Sequence, residues 1–174
     1  MNTRFDVSIR PYKLEDSAFV YDAVRESLLD VIPWMPWCHP DYSIDESRIW
    51  LENQIPAFRQ GKAFEFAIVS SSGHYFGGCG LNQIDNINRR ANLGYWVRSS
   101  AAGHGVASEA VRLIRSWGFE NTDLIRLEIV IAVANQASRR VAEKAGAEYE
   151  GILRSRLLLQ GSPHNAAIYS FVRS

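Results

Sequence analysis

The sequence predicts an α/β (α+β) domain of three-layer α/β/α type, built on a central mixed, mostly antiparallel sheet. Three observations carry this. Strand-like segments follow one another between Phe64 and Val97 with only tight polar turns between them, as in an antiparallel meander. The hydrophobic period then changes from two to the helical spacing at Val106. Finally, Leu127, Ile129, Val130 and Ile131 leave little polar alternation in Arg126 to Val133, the pattern of a buried-type strand.

Taken in order, Val7 to Tyr12 reads as a strand ended by Pro11, and Leu14 to Leu28 recurs near helical period. The segment VIPWMPWCHP, Val31 to Pro40, holds three prolines and two tryptophans and must be a shaped loop. Ser43 to Gly61 is a second helix, with Asp45 and Glu46 in its first turn. Three strands follow: Phe64 to Ser70, Tyr75 to Ile84 and Ala91 to Val97. A helix from Val106 is expected to end near Gly118, and another from Ala137 to stop at Gly146, the residue type suited to a left-handed cap. Tyr149 to Leu159 and Ala166 to Val172 complete the set as two strands joined around Gly161 and Pro163.

The chain's 174 residues show no linker, repeat or low-complexity tract, so residues 1–174 read as a single domain. Nineteen basic residues balance nineteen acidic ones, which gives no excess positive field for nucleic acid. No apolar run approaches a membrane span and no signal-peptide order opens the chain, so a cytoplasmic protein is expected. Cys38 and Cys79 are isolated, and no Cys/His cluster has metal spacing; free thiols and no metal are expected.

The most informative stretch is Tyr95 to Ala110, YWVRSSAAGHGVASEA, where a strand runs through a glycine-punctuated loop into a helix. Such a junction offers close backbone approach, unpaired amides and the positive end of a helix dipole to an anion. A phosphate loop of nucleotide hydrolases would need GxxxxGK, and no lysine lies between Lys62 and Lys144. A dinucleotide fingerprint would need a third glycine where Ser108 stands. A third type is the pyrophosphate loop of acyl-CoA enzymes, and from the loop alone Gly103 and Gly105 read equally well as ordinary turn glycines.

Further along, Asn135 to Ser138 reads NQAS and leads into RRVAEKAGAEYEGILR. Together with Gly94, Tyr95 and Trp96, the Gly103 and Gly105 loop and VIPWMPW, this order resembles the GNAT superfamily of N-acetyltransferases, in its RimJ/RimL branch. The resemblance covers nearly the whole chain. Its loop departs from the family pattern at the first position, Ser100, where arginine or glutamine is usual.

The resemblance implies acetyl-CoA as co-substrate. The backbone of Trp96 and Val97 would pair with the pantetheine arm, and an amide of that strand would hold the thioester oxygen. The amides of Ala102, Gly103, His104, Gly105, Val106 and Ala107 would hold the diphosphate. Asn135 would bond the arm, and Ser138 would donate a proton to the leaving thiolate. Read alone, Asn135 and Ser138 are a helix N-cap and a first-turn serine. Trp34 and Trp37 would lie over the acceptor.

The base is where the chain differs most: family carboxylate positions fall on Asn92 and Leu157, and the aspartate usual after His164 is Asn165. Glu65, His39 and His164 remain as candidates, with His164 also a candidate acceptor contact. The implied reaction is direct acetyl transfer to an amine, foremost the N-terminal α-amine of a ribosomal protein. A small amine, amino acid or antibiotic as acceptor, and an acyl-CoA-binding sensor without turnover, are the rivals. Pairing of two copies as a homodimer is left open.

Overall fold

The computed structural model describes residues 5–173. Among these, seven strands form one sheet in the order β1-β2-β3-β4-β5-β7-β6. They are β1 (Ser8–Pro11), β2 (Phe64–Val69), β3 (Tyr75–Asp85), β4 (Arg90–Val97), β5 (Arg126–Ala132), β6 (Glu148–Leu159) and β7 (Ser162–Val172). Every neighbouring pair is antiparallel except β4 and β5, which are joined through a helical crossover.

Five helices cover the two faces. α1 (Ser17–Glu26), the single turn α2 (Leu28–Val31) and α3 (Ile44–Arg59) lie on one side, where Val20, Val24, Val31 and Leu51 pack against Ala67, Val69 and Tyr75. α4 (Val106–Asn121) and α5 (Gln136–Ala145) lie on the other, where Val111, Ile114 and Ala142 pack against Phe66, Leu81, Leu127 and Ile129. The three-layer expectation holds. The helix expected from Leu14 to Leu28 is instead a 3-10 turn (Leu14–Asp16) and two helices, because Ser27 turns its hydroxyl back onto the Ala23 carbonyl at 2.7 Å and the backbone bends there.

Local chemistry explains the ends that matter to the site. Ser43 starts α3 with a reciprocal cap: its amide donates to Glu46 Oε2 at 2.8 Å and its Oγ accepts from the Glu46 amide at 3.3 Å. Gly118 does not end α4 but lies within it, since a Cβ there would come 2.7 Å from Leu81 Cδ1. It is a packing glycine that lets the helix lie close to β3. Gly146 has φ 87° and closes α5 as expected.

One feature of the sheet positions everything else. The β4–β5 ladder runs only from Arg90–Arg126 to Asn92–Glu128, while β4 stays on β3 to Val97 and β5 stays on β7 to Ala132. The sheet therefore splits into two halves beyond Asn92. The edge of Gly94 to Val97 is left without a strand partner on that side, at the carboxyl ends of a parallel pair, where open α/β sheets bind ligands.

Candidate active site

The split opens into a cavity of about 590 Å³ that is lined by both half-sheets, with Leu93 to Trp96 on one wall and Ile129 to Ala132 on the other. It reaches through to the α1–α3 side, where Trp34, Trp37, Trp50, Tyr12, Glu65 and Glu46 line it. Glycines make this room: a Cβ on Gly78 would meet Tyr12 Oη at 2.5 Å, and one on Gly80 would meet Glu65 Oε2 at 2.1 Å. Among the described residues, no group of three His, Cys, Asp or Glu side chains is placed to hold a metal.

Beyond β4 the chain makes one 3-10 turn, Ser99–Ala101, and enters α4 through two glycines at φ 79° and 82°, Gly103 and Gly105. The turn is fastened to α1: Arg98 and the Ser100 amide both bond Glu26, and the Ser99 amide donates to Ser27 Oγ at 2.9 Å. The Arg98 guanidinium holds the Glu26 carboxyl down at about 2. The Ala102 amide, expected to face a diphosphate, is taken by the Ser99 carbonyl at 3.1 Å. From Gly103 to Ser108 the amides have no acceptor among the described residues, because the first three lie in the turn before α4 and the next three in its first turn, ahead of any i−4 partner. These donors and the open β4 edge fit a ligand with a diphosphate and an amide-bearing arm, which is the make-up of coenzyme A.

On the α5 side, Asn135 caps the helix, its Oδ1 accepting from the Ser138 amide at 3.1 Å. Tyr95 Oη donates to the Ser138 carbonyl at 2.9 Å and lies 2.9 Å from Ser138 Oγ. With the phenolic hydrogen placed on that carbonyl, the serine hydroxyl is the donor between the two oxygens. Burial holds the Tyr95 phenol well above its ordinary range, so it stays neutral.

Below the indoles a polar chain crosses β4, β3 and β2. Asn92 Nδ2 donates to Asn82 Oδ1 at 2.9 Å, and Asn82 Nδ2 donates to Glu65 Oε1 at 3.0 Å. Glu65 Oε1 is thus held while Oε2 lies over Gly80. Burial pushes the Glu65 carboxyl above the usual carboxylate range, and the bond from Asn82 pulls it part of the way back. The two rival bases are placed elsewhere. His39 lies 2.6 Å from Glu46 and outside the cavity lining, and His164 sits opposite Leu157 near the β6–β7 turn, also outside it.

A family profile described as acetyltransferase (GNAT) domain matches residues 6–148. The chain belongs to the GNAT acetyltransferase family. YdaF of Bacillus subtilis (strain 168), named as a ribosomal N-acetyltransferase, is 28% identical to this acetyltransferase over 170 residues, covering 96% of this chain and 91% of YdaF. A RimL ribosomal L7/L12 α-N-protein acetyltransferase solved with coenzyme A superposes with a TM-score of 0.88 at 23% identity, over 96% of this chain and 94% of that one. The microcin C7 self-immunity acetyltransferase MccE, solved with acetyl-CoA and AMP, does so at 0.88 and 25% identity, over 97% and 93%.

In this GNAT enzyme the structure brings Trp34, Trp37, Glu65, Trp96, Asn135 and Ser138 to one cavity. It places the Gly103–Ala107 amides at the mouth of α4 and leaves His164 aside. Sequence reasoning missed Tyr12, Asn82 and Tyr95 as partners; only the strand register, which sets Asn82 opposite Asn92, could have signalled one of them. Ser138→Ala is expected to lower kcat about tenfold, with the dissociation constant of coenzyme A unchanged within about twofold, as suits an assisted hydroxyl donor of modest strength. Equal kcat would remove the hydroxyl from the chemistry.

Proposed function

We propose that this acetyltransferase acetylates the N-terminal α-amine of a protein, a ribosomal one foremost, in a ternary complex with acetyl-CoA. The observation that carries the reading is the single cavity joining the open β4 edge to a desolvated carboxylate, Glu65, beneath a roof of indoles. Bound acetyl-CoA supplies the thioester carbon that the amine attacks, so that a C–N bond forms and the C–S bond breaks.

The chain's own part is to position and to move protons. The Gly103–Ala107 amides and the Trp96–Val97 edge orient the donor, and Trp37, set edge-on to Trp96 at 5.7 Å, closes the acceptor side. An α-amine has a reference pKa near ~8, and transfer into mostly apolar walls lowers it further, so Glu65 takes a proton the amine holds weakly. Ser138 supplies a proton to the departing sulfur by turning its hydroxyl hydrogen off Tyr95 Oη, which holds the serine oxygen in place beforehand. A lysine side chain, at about 10.4, holds its proton too tightly for the same arrangement to serve it as well.

Thiol release from acetyl-CoA, measured with a panel of N-terminally free peptides, N-terminally blocked lysine peptides and small amines, tests this. Turnover on free N-termini is expected to lead. Turnover confined to small amines would replace the acceptor. Saturable coenzyme binding with no turnover on any amine would make the protein a sensor.

A further inference from the structure

The acceptor wall holds two hydrogen-bond donors that find no acceptor among the described residues. Tyr12 Oη lies 2.7 Å from Tyr75 Oη and has no other hydrogen-bond partner among the described residues. Tyr75 is 3% exposed, is absent from the cavity lining, and its hydroxyl likewise has only this hydrogen bond among the described residues, whereas Tyr12, at 7%, lines the cavity. Two hydroxyls carry two hydrogens, and one contact uses one of them. Were Tyr12 the donor, the Tyr75 hydrogen would be sealed in the core without an acceptor, at a cost in stability. Tyr75 is therefore the donor, and the Tyr12 hydrogen points to the cavity. Beside it, Trp96 Nε1 also has no acceptor among the described residues and is not shut off from the cavity. Both atoms converge over Gly78: a Cβ built there would lie 2.5 Å from Tyr12 Oη and 3.1 Å from Trp96 Nε1.

We propose that Tyr12 Oη and Trp96 Nε1 together form a carbonyl-oxygen subsite that selects acceptors carrying a peptide carbonyl next to the reacting amine. The reading rests on the proposed acetylation of α-amines and specifies how the acceptor is recognised. Spacing supports it. Gly78 and Gly80 are same-face neighbours on β3, about 7 Å apart at the usual strand rise, with the two donors over the first and Glu65 Oε2 over the second. An N-terminal residue has its amine nitrogen about 3 Å from its own carbonyl oxygen, and a hydrogen bond of roughly 2.8 Å at each end fills that gap. A polyamine offers the subsite no acceptor and would leave two desolvated donors unpaired.

The test compares trialanine with its analogue in which the first peptide bond is a trans-alkene. Both are measured as acceptors by thiol release and as ligands of the coenzyme A complex by tryptophan fluorescence. The wild-type protein is expected to prefer trialanine at least about tenfold in either readout. Tyr12→Phe is expected to weaken trialanine about three- to tenfold and leave the alkene unchanged. Tyr75→Phe breaks the same core contact yet leaves the Tyr12 hydrogen in place, so discrimination should stay within about twofold of wild type. Discrimination by binding without turnover keeps the subsite and defeats the proposed acetylation. The subsite is overturned if the two probes behave alike, if Tyr12→Phe lowers both equally as a donor to the thioester oxygen would, or if Tyr75→Phe abolishes discrimination as Tyr12→Phe does.

Discussion

Replacing Glu65 with glutamine is expected to lower kcat by about a hundredfold or more, the usual worth of a positioned base. The substitution keeps the shape and leaves an oxygen to accept from Asn82, so what is lost is the ability to take a proton. The pH profile separates this from damage to the fold. In the wild type kcat/KM should rise with pH through the Glu65 carboxyl, which burial holds above the ordinary carboxylate range. That acid limb should vanish in the variant, leaving only the titration of the amine.

Stability is expected to move the other way. Because the folded-state pKa of Glu65 is raised, its favourable contribution exists at low pH, where the group is protonated, and is lost as pH rises through the folded value. Above its folded-state value the wild-type carboxylate is a desolvated charge that glutamine removes. Thermal denaturation at pH 7 should therefore find Glu65→Gln no less stable than wild type, with the difference closing below about pH 4, where glutamate is protonated in both states. A variant that is both inactive and markedly less stable would remove Glu65 from the role of base.

How much of this was legible in the sequence follows from which interactions are local. The sequence put Glu65 on a strand and kept it as a candidate base beside His39 and His164, and only the cavity, which Glu65 lines and the two histidines do not, chooses among the three. Asn135 and Ser138 lie within one helical turn, and the cap that binds them is a short-range pattern. The Gly103 and Gly105 loop was legible for the same reason. What failed depended on contacts across the fold. Gly118 has the look of a helix stop and proves to be a contact surface for Leu81, and that is decided by the distance between α4 and β3. Ala102 sits in the motif, yet its amide is taken by a 3-10 turn whose existence depends on Glu26 and Ser27, far away in sequence. The Tyr12–Tyr75 contact joins residues 63 positions apart, and no spacing rule reaches that far.

The second large effect is expected at the coenzyme loop. Gly103 has φ +79°, whereas proline fixes φ near −65° and carries no N–H. Gly103→Pro therefore removes one of the unpaired amides and turns its neighbours away from a common centre, and coenzyme A affinity should fall by at least about tenfold in calorimetry. Gly103→Ala distinguishes the two causes. Nothing lies within 4 Å of a Cβ at that position, so alanine meets no clash and keeps the N–H. It bears only the left-handed strain of about 1–2 kcal/mol, and its loss should be smaller than that of proline. The loop is exposed at Ala102 to Gly105 and contributes little to either core, so both variants should unfold close to the wild-type temperature. Affinity lost at constant stability would locate the diphosphate on these amides. Unchanged affinity in Gly103→Pro would mean that the donors from Gly103 to Ser108 serve only to begin the helix, and that the open β4 edge alone holds the coenzyme.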